Sequence, residues 1–332
     1  MEFKKTNKIR RHYIKKSAKY FSIFLVLAIL VFEIFSAIYV GNYENLDIAS
    51  EAARNGGEFF NKDGDKMYFE DNQKNADVTL LFVHGFGAST FSWRKNYPYF
   101  YQKERIVLVD LLGFGLSKET ASKDIGVDRS VEVIKSLITE KKMQNVIIVG
   151  HSLGGAIAQK LALQDPKHVI GLVLINSTDA DYIANKNSIF TNFFSWNIVK
   201  NPVAFFQNTI LIAQGVRDAY YDPKNADKLT IEGYQKAFQY KNSSDELVKF
   251  VNSNPPSQED VSKINVPTLI YSSQNDKVIL PKSSQDISGK IKSSKLITIP
   301  SAGHLLMEEQ PQLVNEGINR WIDFCLKSIN VT

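Results

Sequence analysis

Ser152 sits in Gly150-His151-Ser152-Leu153-Gly154, with the apolar run Val146 to Val149 before it and the helical segment Gly155 to Ala162 after it. A strand, a sharp turn and a helix in that order leave a serine hydroxyl on a strained backbone at a strand's carboxyl end. Glycines at 150 and 154 let strand and helix approach without side-chain clashes. The chemistry open to such a serine is nucleophilic attack on a carbonyl carbon. It needs a base to take the hydroxyl proton and an acid to orient that base. Five histidines are available: His12, His84, His151, His168 and His304. Only His304 follows both the nucleophile and a strand-like run, in a loop beside Gly303. His151 is expected to point away from the serine. Asp276 follows the run Pro267 to Tyr271 and precedes His304 with room between them for a helix and a strand. Asp179 and Asp181, after the run Val169 to Ile175, are alternative acids. An oxyanion would need two backbone donors. Leu153 supplies one at a helix start, and Phe86, in the loop His84-Gly85-Phe86-Gly87, supplies the other.

These residues need elements that end at one edge. A hairpin is predicted from Glu58 to Glu70, turning at Lys62-Asp63-Gly64-Asp65. Short apolar runs then alternate with helical patterns. The runs are 78–83, 105–109, 145–149, 169–175, 267–271 and 295–299. The predicted helices include an aromatic one near Phe91 to Tyr101, one from Arg129 to Lys142, and a carboxy-terminal one from Leu313 to Leu326. Continuous apolar runs between helices indicate a parallel sheet buried on both faces. Residues 178–262 hold no convincing strand and read as a helical, aromatic-rich insertion punctuated by Pro202 and Pro223. The single cysteine, Cys325, excludes an intramolecular disulfide and reads as a small core residue.

The net charge of +5 is unevenly placed. Residues 1–20 carry eight lysines and arginines against Glu2, so they contribute +7 and the remainder carries −2. A near-neutral body gives no electrostatic case for nucleic acid. The basic tail precedes Phe21 to Val40, twenty residues with Glu33 as the one charge. A helix of that length spans roughly 30 Å, the thickness of a bilayer core. The expectation is a basic cytoplasmic tail (1–20), a transmembrane anchor (21–40), a connector (41–55) and an extracytoplasmic body.

The motifs together carry a resemblance. Residues 78–176 and 267–318 resemble the α/β-hydrolase superfamily, in its capped esterase, haloperoxidase-like and C–C hydrolase branch. The matching pieces are His84-Gly85-Phe86-Gly87, Asp110 to Ser117, Gly150 to Gly155, Asn275-Asp276 and Gly303-His304. The resemblance implies an α/β-hydrolase core over 56–177 and 263–332, a mostly parallel sheet flanked by helices, and a mobile helical cap over 178–262. It assigns Asp110 and Gly115 to a structural turn. Relatives with aspartate at the elbow, the epoxide hydrolases and haloalkane dehalogenases, are excluded by Ser152. The C–C hydrolases often carry Asn before the serine and Trp after the histidine, whereas this chain has His151 and Leu305. The expected activity is hydrolysis of a lipophilic carboxylic ester through an acyl-enzyme, with Ser152, Asp276 and His304 as the triad and no cofactor or metal. C–C bond hydrolysis or acyl transfer with the same triad, or a non-catalytic ligand-binding protein on this scaffold, are the alternatives.

Overall fold

A computed structural model describes residues 48–180, 209–240 and 242–329. The expected tail and anchor, 1–40, lie outside the described residues, as do 181–208 of the expected cap. No helix among the described residues is long and apolar enough to cross a membrane.

The chain enters through helix α1 (Ile48–Asn55), within the stretch expected to be a connector. Ile48 and Ala52 give it an apolar face, which packs on Tyr68, Leu116 and Tyr240. Strands β1 (Glu58–Lys62) and β2 (Asp65–Asp71) form the expected hairpin. Asp63 and Gly64 turn it with φ of 54° and 90°, the left-handed pair that matches strand twist. β3 (Thr79–Val83) follows. The predicted aromatic helix at 91–101 is instead two separate turns, a 3-10 turn at Thr90–Trp93 and α2 (Tyr97–Phe100). Pro98 can sit in a first helical turn but not inside a longer helix, so the segment breaks there. Next come β4 (Arg105–Val109), α3 (Val127–Glu140), β5 (Val146–His151), α4 (Leu153–Gln164) and β6 (Val169–Ile175). Among the described residues three α-helices then intervene: α5 (Thr209–Ala219), α6 (Lys228–Lys236) and α7 (Ser243–Val251). The core resumes with β7 (Thr268–Ser273), α8 (Pro281–Lys290), β8 (Ser294–Ile299), α9 (Leu306–Glu309) and α10 (Pro311–Ile329).

The eight strands make one sheet in the order β1-β2-β4-β3-β5-β6-β7-β8, antiparallel through β1, β2 and β4 and parallel thereafter. Side chains alternate across it. Leu81 and Val83 of β3 join one core layer with Ile134 and Leu137 of α3 and Ile157 and Leu161 of α4. Leu80 and Phe82 join the opposite layer with Trp93, Phe100 and, on α10, Val314, Ile318 and Cys325. Each such aliphatic side chain contributes about 1.5–3 kcal/mol by burial. Gly171 on β6 leaves the space that Cys325 fills, because a Cβ there would strike the sulfur. The inserted helices join both layers: Leu247 and Phe250 of α7 pack into the first, Ile231 and Tyr234 of α6 into the second. Strand order reverses between β3 and β5, and the carboxyl ends of strands at such a switch point are where open α/β sheets bind ligands.

Candidate active site

Ser152 stands at that switch point, between β5 and α4. Its backbone has φ 52° and ψ −118°, a conformation that costs on the order of 1–3 kcal/mol for a non-glycine residue. Neighbouring bonds hold it there. Ser152 N–H donates to the Ile175 carbonyl at 3.1 Å, and its own carbonyl accepts from Gly155 and Thr178 N–H at 3.0 and 3.1 Å. The flanking glycines are needed for close approach. A Cβ on Gly150 would lie 2.5 Å from the Gly154 carbonyl oxygen, and one on Gly154 would strike the carbonyls of Val83 and His84. The start of α4 is thereby pressed against the end of β3. Leu153 is the first residue of α4, so its N–H has no partner carbonyl within the helix.

The loop after β3 runs alongside. A Cβ on Gly85 would sit 3.0 Å from that of Ser152, so a side chain there would crowd the serine turn. His84 is structural. Its Nδ1–H donates to the Gly85 carbonyl at 2.7 Å, and Nε2 accepts from Leu111 N–H at 3.0 Å. Burial pushes its pKa down to about 4, so the ring is neutral. The Phe86 ring packs 5.2 Å from Phe114 and 6.0 Å from Phe250 of α7.

Asp276 and His304 meet at the ends of β7 and β8. Asp276 Oδ1 accepts from Val278 and Ile279 N–H at 2.8 and 2.9 Å. Oδ2 accepts from His304 Nδ1 at 2.8 Å. With Nδ1 as donor, Nε2 is left with a free lone pair, which is the basic tautomer. Asp179, one of the alternative acids, pairs instead with Lys290 at 2.7 Å. Asp181 lies outside the described residues.

Two residues with no catalytic assignment in the sequence reading complete the assembly. Asn176, with φ 45° at the end of β6, donates through Nδ2 to the carbonyls of Gly303 and His304 at 3.0 and 2.9 Å. Its Oδ1 accepts from Ser273 N–H at 2.8 Å. His151 Nε2 donates to the same His304 carbonyl at 2.9 Å, and the two imidazoles lie 4.6 Å apart. Burial, followed by the neighbouring His304, holds the His151 pKa well below the usual imidazole range. The histidine loop is thus bound to the ends of β5 and β6, beside the serine turn. Among the described residues no hydrogen bond joins the Ser152 hydroxyl to His304. Such links are often long before substrate binds.

Comparisons with known proteins bear on the fold that carries these residues. A family model for the alpha/beta hydrolase fold matches residues 78–311. The chain is similar to the uncharacterized hydrolase YugF of Bacillus subtilis, 28% identical over 272 residues, with 79% of this chain and 96% of that protein covered. It is similar to Lipase 3 of Moraxella sp., 26% identical over 265 residues, covering 74% of this chain and 78% of the lipase. A crystal structure of an alpha/beta hydrolase fold protein from Burkholderia ambifaria superposes with a TM-score of 0.66 at 22% identity, covering 82% of this chain and 97% of that one. Sheet order, serine turn and matched span converge: the chain belongs to the α/β-hydrolase family.

Proposed function

We propose that this α/β-hydrolase enzyme cleaves carboxylic esters of lipophilic small molecules through an acyl-enzyme. The observation that carries the reading is the 2.8 Å bond from His304 Nδ1 to a buried Asp276, made in a loop bonded to the serine turn. His304 Nε2 takes the Ser152 proton as Oγ attacks the substrate carbonyl. The N–H groups of Phe86 and Leu153 hold the oxyanion, each worth about 10²–10³ in rate. Collapse breaks the ester bond, and the departing alcohol takes the proton from His304. Water, deprotonated by the same imidazole, then attacks the acyl-serine and releases the acid. Asp276 fixes the tautomer throughout. The apolar substrate is supported by the phenyl rings of Phe86, Phe114 and Phe250 beside the oxyanion loop, and by the lipase among the similar proteins.

The same proposal places the body on the extracytoplasmic side, held by residues 21–40 with the basic tail inside. Retention of the full chain in alkali-washed membranes, and its release on deleting residues 1–40, would support that placement. For the chemistry, p-nitrophenyl butyrate turnover by the full chain should fall by about 10⁴–10⁶ in Ser152→Ala. Equal turnover by the two proteins would overturn the reading.

A further inference from the structure

Among the buried carboxylates that the serine mechanism does not use, Glu308 has the densest set of partners near His304. Glu308, on α9 just past His304, has a side chain with 0% exposure. Its Oε2 accepts from Arg94 Nη2 and from the Tyr220 hydroxyl, both at 2.6 Å. Its Oε1 accepts from the Tyr234 hydroxyl, also at 2.6 Å. Arg94 Nη2 donates further to Thr230 Oγ1 at 2.8 Å, and its guanidinium lies 4.1 Å from the Phe91 ring centre. Arg94 comes from the segment that follows the oxyanion loop. Tyr220 comes from the turn after α5, and Thr230 and Tyr234 come from α6. One carboxylate therefore ties three segments of the chain together. Burial, and then the charge of Glu308, push both phenol pKa values far up, so both phenols are donors.

The turn that carries Tyr220 touches the histidine directly. His304 N–H donates to the Ala219 carbonyl at 2.7 Å. Glu309 accepts from Gly303 N–H at 2.8 Å and from Tyr221 N–H at 2.9 Å, bridging the same two segments. Gly303 has no room for a Cβ, which would lie 2.5 Å from the Tyr221 nitrogen. Turn 219–221 is thus bonded directly to the His304 backbone, on the N–H side opposite the carbonyl that Asn176 and His151 hold.

We propose that Glu308 is a positioning residue for His304, acting by locking turn 219–221 of the inserted helices through Tyr220. This rests on the serine-hydrolase reading. Its consequence is that the base is aligned only while that turn is seated.

Tyr220→Phe and Tyr234→Phe separate positioning from stability, because they remove matched donors from one carboxylate. The readouts are kcat and KM on p-nitrophenyl butyrate, the rate of Ser152 labelling by a fluorophosphonate, and the urea midpoint of the full chain. A purely structural role would lower the midpoints alike and give equal kcat values. The expected result is a kcat and labelling rate about 10-fold lower in Tyr220→Phe than in Tyr234→Phe, with KM unchanged within about threefold. Glu308→Gln should lose about 10- to 100-fold in kcat, and adding Tyr220→Phe to it should cost little more. Equal kcat values in the two tyrosine variants would overturn the proposal, even if Glu308→Gln does not fold. A wild-type chain that neither turns over ester nor labels would overturn the hydrolase reading, and this inference with it. Turnover with equal tyrosine variants would overturn this inference alone.

Discussion

The loops after β4 and β7 each bury an aspartate at a strand's carboxyl end, and they spend its oxygens differently. Asp110 is 1% exposed and gives one oxygen to Thr90 N–H at 2.6 Å and the other to Leu116 N–H at 2.7 Å. Gly115 must be glycine there, since a Cβ would strike the carboxylate. Asp276 is 4% exposed but takes both of its backbone N–H groups on Oδ1, which leaves Oδ2 for His304. Burial alone does not distinguish them. What distinguishes them is whether the backbone uses up both oxygens or leaves one for a side chain that can carry a proton.

The sharpest way to break that contrast is a pair of isosteric changes. Asp276→Asn should keep the fold and lower kcat by about 10³–10⁴, because the amide no longer selects the basic tautomer of His304. Asp110→Asn should do the reverse. It sets an NH₂ group against a backbone N–H and should cost about 2–4 kcal/mol in urea unfolding, while the folded fraction keeps its kcat within about threefold. Matching losses of kcat in both variants would erase the distinction. A smaller effect tests how the histidine loop is held. Asn176→Ala leaves the His304 carbonyl with His151 as its side-chain donor and should lower kcat by about 10-fold.

The smallest expected effect lies in the pH dependence of stability. Burial raises the Asp110 pKa to about 7, above its unfolded value. The native state therefore binds the proton more tightly, and the stability this contributes is present at low pH and is lost as pH rises from about 4 to 7. His84 works in the opposite sense. Its pKa falls to about 4, so its contribution is present above about 6.5 and is lost as pH falls toward 4. Across that shared window the two slopes oppose each other. Urea midpoints of Asp110→Asn at pH 4, 5.5 and 7 should decline more steeply toward acid than those of the wild type.

The contrast between the two aspartates was partly readable before any coordinates. Asp110 lies in a glycine-rich turn and Asp276 follows a strand, and strand ends are fixed by local apolar runs that a sequence displays directly. The elbow was readable for the same reason, since Gly150, Ser152 and Gly154 are adjacent in the chain. The break at Pro98 was readable in principle, because the ring forbids a continuous helix through that position. Asn176 and Glu308 were not. Their partners lie far away in sequence, Gly303 for one and Arg94 for the other, and no period or spacing announces such meetings. For His151 the sequence says at most that the side chain points away from the serine, not which carbonyl from another loop meets it there.

Cys325 carries a practical consequence. It is wholly buried against Gly171, and burial pushes its thiol up to about 12. Thiol reagents attack the thiolate, so in the folded state this side chain is silent toward them. The natural chain is therefore already a blank background for spectroscopic tagging. A cysteine placed at Leu229, which is 75% exposed on α6, would be the one site to take a dye. A change in its emission when an ester is added would report movement of the inserted helices.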